Sequence, residues 1–191
     1  MNITIFGAPG SGKGTQAKKI MKEYGYFHIS TGDFLRERAK VLDIFGKQIK
    51  ELIDHGLFIP DDLMIRLFEE IVNNNISVPG FVFDGYPRTL PQIDAFEDFL
   101  QQQFPGVNTT TIFLEVEEEE LISRILGRAV IELRADDATR SNIQDRIAIF
   151  KEKTLPVVAH YAALGTLKTV VGTDKTSTEV WNEVQQVINT V

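Results

Sequence analysis

Cysteine is absent from this sequence of 191 residues, and histidine is scarce. Without cysteine the chain can form neither disulfide bonds nor thiolate metal sites. The three histidines, His28, His55 and His160, are far apart in the sequence and lack the spacing of zinc ligands. We therefore expect no zinc site.

Long apolar runs and an excess of positive charge are also missing. No stretch approaches the roughly 18 apolar residues of a membrane span, and the first residues lack the pattern of a secretory signal. The formal net charge of −7 argues against broad nucleic-acid binding, because such binding needs a basic face. A small anion can still bind where the charge is locally positive. We expect a cytoplasmic protein with neither a membrane nor a nucleic-acid partner.

Short apolar runs alternate with longer amphipathic segments along the chain. Strands are predicted at Asn2–Phe6, Tyr26–Ile29, Phe81–Asp84, Thr110–Val116 and Leu167–Val171. Helices are predicted at Lys13–Glu23, Gly32–Lys40, Lys47–His55, Asp61–Asn73, Thr89–Phe104, Glu117–Leu126, Ser141–Leu164 and Ser177–Asn189. This alternation predicts one three-layer α/β/α domain over residues 1–191, built around a five-stranded parallel sheet.

Two segments interrupt the alternation. Residues 30–59 hold a pair of helices before the next strand, and residues 127–137 join two later helices. In open α/β sheets ligands bind beyond the carboxyl ends of the strands, so inserts that leave these ends can cover the site. We predict that both segments are mobile covers.

The stretch GAPGSGKGT at residues 7–15 follows the first predicted strand and opens the first helix. Backbone N–H groups from Gly10 to Thr15 can surround phosphate oxygens, and Lys13 can reach the outer phosphates. The usual pattern places Ser or Thr directly after the lysine, whereas here Gly14 precedes Thr15. A ligand-free surface loop is the alternative, which the strand-to-helix context disfavours. The stretch predicts binding of a nucleoside triphosphate.

Three further motifs stand in order along the chain: STGDFLR at 30–36, DGYPRTLPQ at 84–92 and RILGRAVIELRADD at 124–137. Together with the loop they resemble the adenylate kinase family over nearly the whole chain. The resemblance implies a P-loop fold and the reversible reaction of ATP and AMP, with Mg²⁺, to give two ADP. The segment 127–137 is shorter than the extended lid of some members, so the chain resembles the short-lid type, for which we expect a monomer.

The resemblance also implies roles for individual residues. The ATP-binding positions are Gly10, Ser11, Gly12, Lys13, Gly14, Thr15, Arg124, Arg128 and Gly172. The AMP-binding positions are Thr31, Arg36, Phe58, Ile59, Gly85, Arg88, Gln92, Arg134 and Arg146. The catalytic positions are Lys13, Arg88, Arg124, Arg128, Arg134 and Arg146. Asp84 is implied to organise Mg²⁺ through water.

Elementary chemistry supports these roles. A guanidinium such as Arg36 or Arg88 can hold a phosphate with two parallel hydrogen bonds, which a lysine cannot do. The alternative for each arginine is an ordinary solvated surface charge. Phosphoryl transfer needs alignment and positive charge rather than covalent help, and the AMP phosphate is already ionised. We therefore expect no dedicated general base.

Two departures from the family pattern leave alternatives open. The predicted lid contains three apolar residues, Val130, Ile131 and Leu133. We favour local packing as the explanation over a subunit contact or a lid with a more adhesive apolar surface. Residues 138–145 are one residue longer than the family pattern, so the register of Arg140 against Arg146 is open. We prefer Arg146 because it keeps the expected spacing to Pro156.

Three rival functions fit the motifs less well. A UMP/CMP kinase shares the fold, but Thr31 and the stretch TLPQ at 89–92 resemble adenylate kinases more closely. A regulatory GTPase should carry an Asn-Lys-x-Asp guanine-binding motif, which the sequence lacks. An inactive scaffold is disfavoured because the phosphate-binding residues are intact.

Overall fold

A computed structural model describes residues 1–54, 59–132 and 139–190, without the side chains of residues 54 and 128–132. Its sheet has five strands: β1 (Asn2–Gly7), β2 (Phe27–Ser30), β3 (Phe81–Asp84), β4 (Thr109–Glu115) and β5 (Leu167–Val171). Their order is β2-β3-β1-β4-β5, and every pairing is parallel. The predicted α/β class and the five-stranded parallel sheet are confirmed.

Helices connect and cover the strands. They are α1 (Lys13–Tyr24), α2 (Thr31–Arg38), α3 (Ile44–Asp54), α4 (Asp61–Asn74), α5 (Pro91–Gln103), α6 (Glu118–Glu132), α7 (Arg140–Ile149), α8 (Leu155–Ala163) and α9 (Ser177–Asn189). None of the described helices is both long enough and apolar enough to span a membrane. The pair α2 and α3 occupies the first predicted insert.

Most predicted helix bounds differ from the observed ones by one to three residues, and two predictions were wrong by more than that. Helix α6 was expected to end at Leu126 but continues to Glu132, because residues 127–132 contain no proline and several good helix formers. The predicted continuous helix Ser141–Leu164 is divided by a π-helical turn at Phe150–Thr154. Pro156 supplies the reason, since it lacks an N–H and its ring would clash with a carbonyl in a regular α-helix.

The alternating side chains of the strands build a core on each face of the sheet. Phe81 and Phe83 of β3 point to one face, where they pack with residues of α4 and α5 such as Phe68 and Phe96. Val82, between them, points to the other face and packs with residues of α1 and α9. This period of two is what a strand buried on both faces requires.

Because all strands are parallel, their carboxyl ends lie at one edge of the sheet. Gly7 ends β1, Ser30 ends β2 and Asp84 ends β3, and Ser30 is paired with Asp84 in the register. The glycine-rich loop and the α2–α3 pair both leave from this edge. The topology therefore brings three of the sequence motifs together, at the position where open α/β sheets bind ligands.

Candidate active site

The glycine-rich loop turns sharply between β1 and α1. Ser11 N–H donates to Ala8 C=O at 3.1 Å, and Gly12, the N-cap of α1, has φ 95° and ψ 10°. No side chain caps this helix end, and its first turn contains no acidic residue. The orphan N–H groups and the positive end of the helix dipole are therefore available to an anion.

Lys13 folds back over this loop. Its Nζ donates to Gly7 C=O at 2.7 Å and to Ala8 C=O at 3.2 Å. The lysine also lines a cavity of about 370 Å³ that extends from the loop towards Arg88 and Arg146. The primary amine thus stands between the loop and the arginine-bearing wall of the cavity.

Asp84 lies across from the start of α1. Its Oδ2 is 3.2 Å from His28 Nε2, and a Cβ placed on Gly14 would be 3.8 Å from the same oxygen. That distance is an ordinary van der Waals contact, so the start of α1 lies beside the carboxylate and a larger residue than Gly14 would begin to contact it. Within the described ranges no three acidic or histidine side chains cluster as a metal site. One carboxylate suits Mg²⁺ carried by nucleotide phosphates, since that ion keeps several waters and takes few protein ligands.

Arg88 is surrounded by charge. Its side chain opens to the cavity, yet neighbouring protein atoms lower the pKa of the guanidinium by desolvation, and the Asp84 carboxylate raises it. The positive charges of Arg36 and Arg146 lower the pKa further. A guanidinium stays protonated at neutral pH, so Arg88 is close enough to Arg36 and Arg146 to be repelled by them, and an anion bound beside Arg88 would relieve this repulsion.

The backbone of Arg88 is fixed on both sides. Its N–H donates to Gln92 Oε1 at 2.8 Å, its C=O accepts from Thr154 Oγ1 at 3.0 Å, and its Nε donates to Gly85 C=O at 2.7 Å. Gln92 Nε2 in turn donates to Asp61 Oδ1 at 2.9 Å. Gln92, predicted to reach a nucleotide base, therefore also holds the Arg88 loop against α4.

Three other predicted AMP-binding residues, Thr31, Arg36 and Ile59, lie in α2 or just before α4. Thr31 is buried at the first position of α2, where its Oγ1 donates to Asp84 C=O at 2.8 Å. Arg36 pairs with Asp33 on the exposed surface of the same helix. Ile59 is half-buried and packs against the phenylalanine-rich core, whereas Phe58 lies outside the described residues.

The predicted ATP-binding residues of the second half are partly described. Arg124 donates to Glu120, to Gly172 C=O at 2.7 Å and to Lys175 C=O at 3.4 Å. The structure thus brings Arg124 and Gly172 together, although 48 residues separate them. The side chains of Arg128, Val130 and Ile131 lie outside the described part of the chain, as do Leu133 and Arg134 entirely.

The two arginines whose register was open are placed differently. Arg146 lines the cavity together with Lys13 and Arg88. Arg140 lies on the exposed surface and pairs with Glu119 at 2.9 Å. Of the two, Arg146 has the position from which a side chain can contact a bound phosphate.

Sequence reasoning missed three residues of the site: His28 beside Asp84, Asp61 beside Gln92, and Thr154 beside Arg88. Each contact joins segments more than 25 residues apart in the chain. Local patterns do not encode such contacts. Only for Thr154 did the sequence contain a hint, because Pro156, two residues later, indicates an irregular helix at this position.

Comparisons with known proteins agree with this geometry. A family profile described as adenylate kinase matches residues 5–166. The chain is 38% identical to an adenylate kinase of Parabacteroides distasonis over 191 residues, covering 100% of this chain and 99% of the relative. It is 40% identical to an adenylate kinase of Bacteroides fragilis over 165 residues, covering 86% of each chain. An adenylate kinase of Kosmotoga olearia is 34% identical, over 90% of this chain and 92% of the relative.

The family profile covers the loop, the Arg88 segment and Arg146, which are the parts that converge on the cavity. The relatives match both halves of the chain at similar length, so the resemblance read from four motifs is confirmed over the whole sequence. The chain belongs to the adenylate kinase family.

Proposed function

We propose that the chain transfers the terminal phosphoryl group of MgATP to AMP, giving two molecules of ADP, in both directions. Such an enzyme serves nucleotide biosynthesis and the balance of adenine nucleotides. One observation carries the proposal: a single cavity presents Lys13 beside the uncapped start of α1 and, with them, Arg88 and Arg146. A site of this kind suits the triphosphate of ATP and the phosphate of AMP held end to end.

The donor occupies the glycine-rich loop in this proposal. Backbone N–H groups of Gly10–Thr15 hold the phosphates of ATP, and Lys13 places its charge on the outer ones. Arg124 and Gly172 support the nucleoside end, together with Arg128. Asp84 holds Mg²⁺ through water, and the ion, when bound, neutralises charge on the phosphates.

The acceptor occupies the side of the cavity near α2. Arg36 and Arg88 grip the AMP phosphate, while Thr31, Gly85, Gln92, Phe58 and Ile59 surround the base. Arg146 and Arg134 contact the phosphoryl group in transfer and the acceptor phosphate. The ionised acceptor phosphate is itself the nucleophile, so the arginines align it and spread the developing charge without removing a proton.

Water competes with AMP as the acceptor, so the site has to close before transfer. Residues 30–59, which contain α2 and α3, are assigned to close over AMP. Residues 127–137, which include the end of α6, are assigned to close over ATP. Residues 30–59 begin at Ser30, the carboxyl end of β2, which supports the first assignment.

The test measures nucleoside diphosphate formation from MgATP with AMP, UMP, CMP or GMP in turn. ADP formation that depends on AMP, with little product from the other three, is expected. Faster conversion of UMP or CMP would favour a pyrimidine-nucleotide kinase of the same fold. No AMP-dependent conversion by the folded protein would contradict the proposal, and omission of Mg²⁺ should abolish the reaction.

We also propose that the enzyme works as a cytoplasmic monomer without a resident zinc ion. Light scattering at high protein concentration should give a mass near 21.5 kDa. A mass near twice that value would instead support a subunit contact through Val130, Ile131 and Leu133. Zinc added at equimolar concentration should leave the unfolding temperature unchanged.

A further inference from the structure

Thr154 is a buried threonine at the end of the π-helical turn. Its hydroxyl donates to Arg88 C=O at 3.0 Å, across 66 residues of sequence, and its side chain lines the same cavity as Arg88. The hydroxyl therefore connects the helical segment that follows α7 to the loop that carries Arg88.

This hydrogen bond completes the restraint of the Arg88 peptide. Gln92 and Gly85, which also hold Arg88, lie within four residues of it in the sequence, and Gln92 is itself tied to α4 through Asp61. Among the hydrogen bonds found for the described residues, the one from Thr154 ties Arg88 to a distant element. That element continues directly from α7, which carries Arg146.

The π-helical turn explains how Thr154 and Arg146 reach one cavity. Eight residues of regular α-helix would place them about 80° apart around the helix axis, at about 100° per residue. The extra residue of a π-helical turn takes up about 100° of this rotation, which leaves the two side chains within about 20° of each other. Both residues do line the cavity.

We propose that Thr154 is a positioning residue, which holds the backbone of Arg88 in a fixed relation to Arg146 during phosphoryl transfer. The inference rests on the proposed role of Arg88. Thr154 itself touches no reacting atom. Its hydroxyl fixes the position of the Arg88 guanidinium relative to that of Arg146, and both groups contact the acceptor phosphate in the proposed reaction.

Thr154→Val tests this inference, since it keeps the shape of the side chain and removes the donor. We expect kcat to fall about tenfold to hundredfold, as small displacements of aligning groups do, while KM for ATP changes by less than about twofold. Thr154→Ser restores a hydroxyl and should return kcat to within about threefold of the parent. Thr110→Val, a buried threonine near the opposite end of the sheet, serves as the matched control and should leave kcat unchanged.

A double-mutant cycle separates positioning from a general loss of structure. In an Arg88→Ala background, Thr154→Val should lower kcat by no more than about twofold, because the group it positions is gone. An equal fall in both backgrounds overturns the inference, as does parent-like kcat in Thr154→Val. If valine prevents folding, Thr154→Ala takes its place with the same expected loss, and parent-like kcat again overturns the inference. Absence of AMP-dependent activity in the parent would instead refute the proposed function.

Discussion

Arg38 on α2 donates through Nε to Glu70 Oε2 on α4 at 2.9 Å. Its two terminal nitrogens bind the carboxylate of Asp43 at 2.9 and 2.7 Å. The guanidiniums of Arg38 and Arg66 also lie 4.6 and 4.4 Å from the ring centroid of buried Phe45. These contacts fasten the α2–α3 pair to α4, at a distance from the cavity.

The ion pair between Asp43 and Arg38 should make the free energy of unfolding depend on pH in the acidic range. Hydrogen bonding from Arg38, helped by Gly46 N–H, lowers the pKa of Asp43 from 3.8 to about 2. A carboxyl with a depressed pKa in the folded state stabilises the fold above its unfolded pKa, and this contribution disappears as the pH falls through the folded value. Asp43→Asn should therefore be less stable than the parent at pH 7, and the difference should shrink between about pH 4 and pH 2.

Urea unfolding followed by circular dichroism, from pH 7 down to pH 2.5, measures this difference. Asp98→Asn, at an exposed carboxylate of α5, is the control and should track the parent at every pH. A constant difference between Asp43→Asn and the parent across this range would show that the ion pair is not its cause.

Removal of single cations from the cavity should slow turnover strongly. Loss of one preorganised charge donor typically costs about 3–4 kcal/mol in the barrier, so Lys13→Ala and Arg88→Ala should each lower kcat by at least about a hundredfold. The same result is expected for Arg134→Ala, at a position outside the described residues. Lys18→Ala, on the exposed side of α1, is the matched control and should stay near the parent. Turnover within about tenfold of the parent in a folded variant would refute that residue's assignment.

The fold could be predicted from the sequence because its determinants are local and periodic. Phe81, Val82 and Phe83 form a short apolar run whose alternate residues face opposite cores, and strand β3 was predicted with its observed bounds. The glycine-rich loop can also be recognised from the sequence, because the spacing of its residues identifies it without knowledge of the tertiary structure. Parallel pairing followed from the helical segments between the strands.

The contacts around Arg88 and Asp84 could not be predicted in the same way. His28 meets Asp84 because β2 and β3 are adjacent in the sheet, and strand order is not a local property. Thr154 meets Arg88 because the π-helical turn after α7 changes the direction in which Thr154 points, and periodicity analysis assumes a constant turn. The hydrogen bonds that hold Arg88 and Asp84 in place therefore emerge only from the assembled fold.

Arg124 is expected to act on ATP rather than on AMP. It holds the loop after β5 by donating to Gly172 C=O and Lys175 C=O, while Glu120 also accepts from Asp174 N–H at 2.9 Å. Loss of the guanidinium leaves these acceptors unpaired, so the loop should loosen. Arg124→Ala should raise KM for ATP by about tenfold, the equivalent of one lost charged hydrogen bond, with little change in KM for AMP.

Steady-state kinetics with each nucleotide varied separately measures this split. Arg140→Ala is the matched control, because Arg140 pairs with Glu119 on the exposed surface and does not line the cavity. It should leave both KM values near those of the parent. A rise in KM for AMP alone after Arg124→Ala would contradict the assignment of Arg124 to the donor side.

Substitutions at Gly12 and Gly165 should separate the effect of backbone strain on stability from an effect on ATP binding. Both have left-handed backbone conformations, with φ of 95° and 72°, and a Cβ on either would meet no atom within 4 Å. Alanine at either position should therefore cost about 1–2 kcal/mol of unfolding free energy, from backbone strain alone. Gly12, however, begins α1, where the proposed phosphates approach bare backbone, so its added methyl group should also raise KM for ATP.

Urea unfolding and ATP kinetics on Gly12→Ala and Gly165→Ala separate the two effects. Similar losses of stability with a raised KM for ATP in Gly12→Ala alone would support phosphate binding at the start of α1. If both variants keep the parent KM for ATP, the nucleotide does not approach the backbone at Gly12. If both raise it equally, general destabilisation rather than a blocked site is the cause, because Gly165 lies in the turn between α8 and β5.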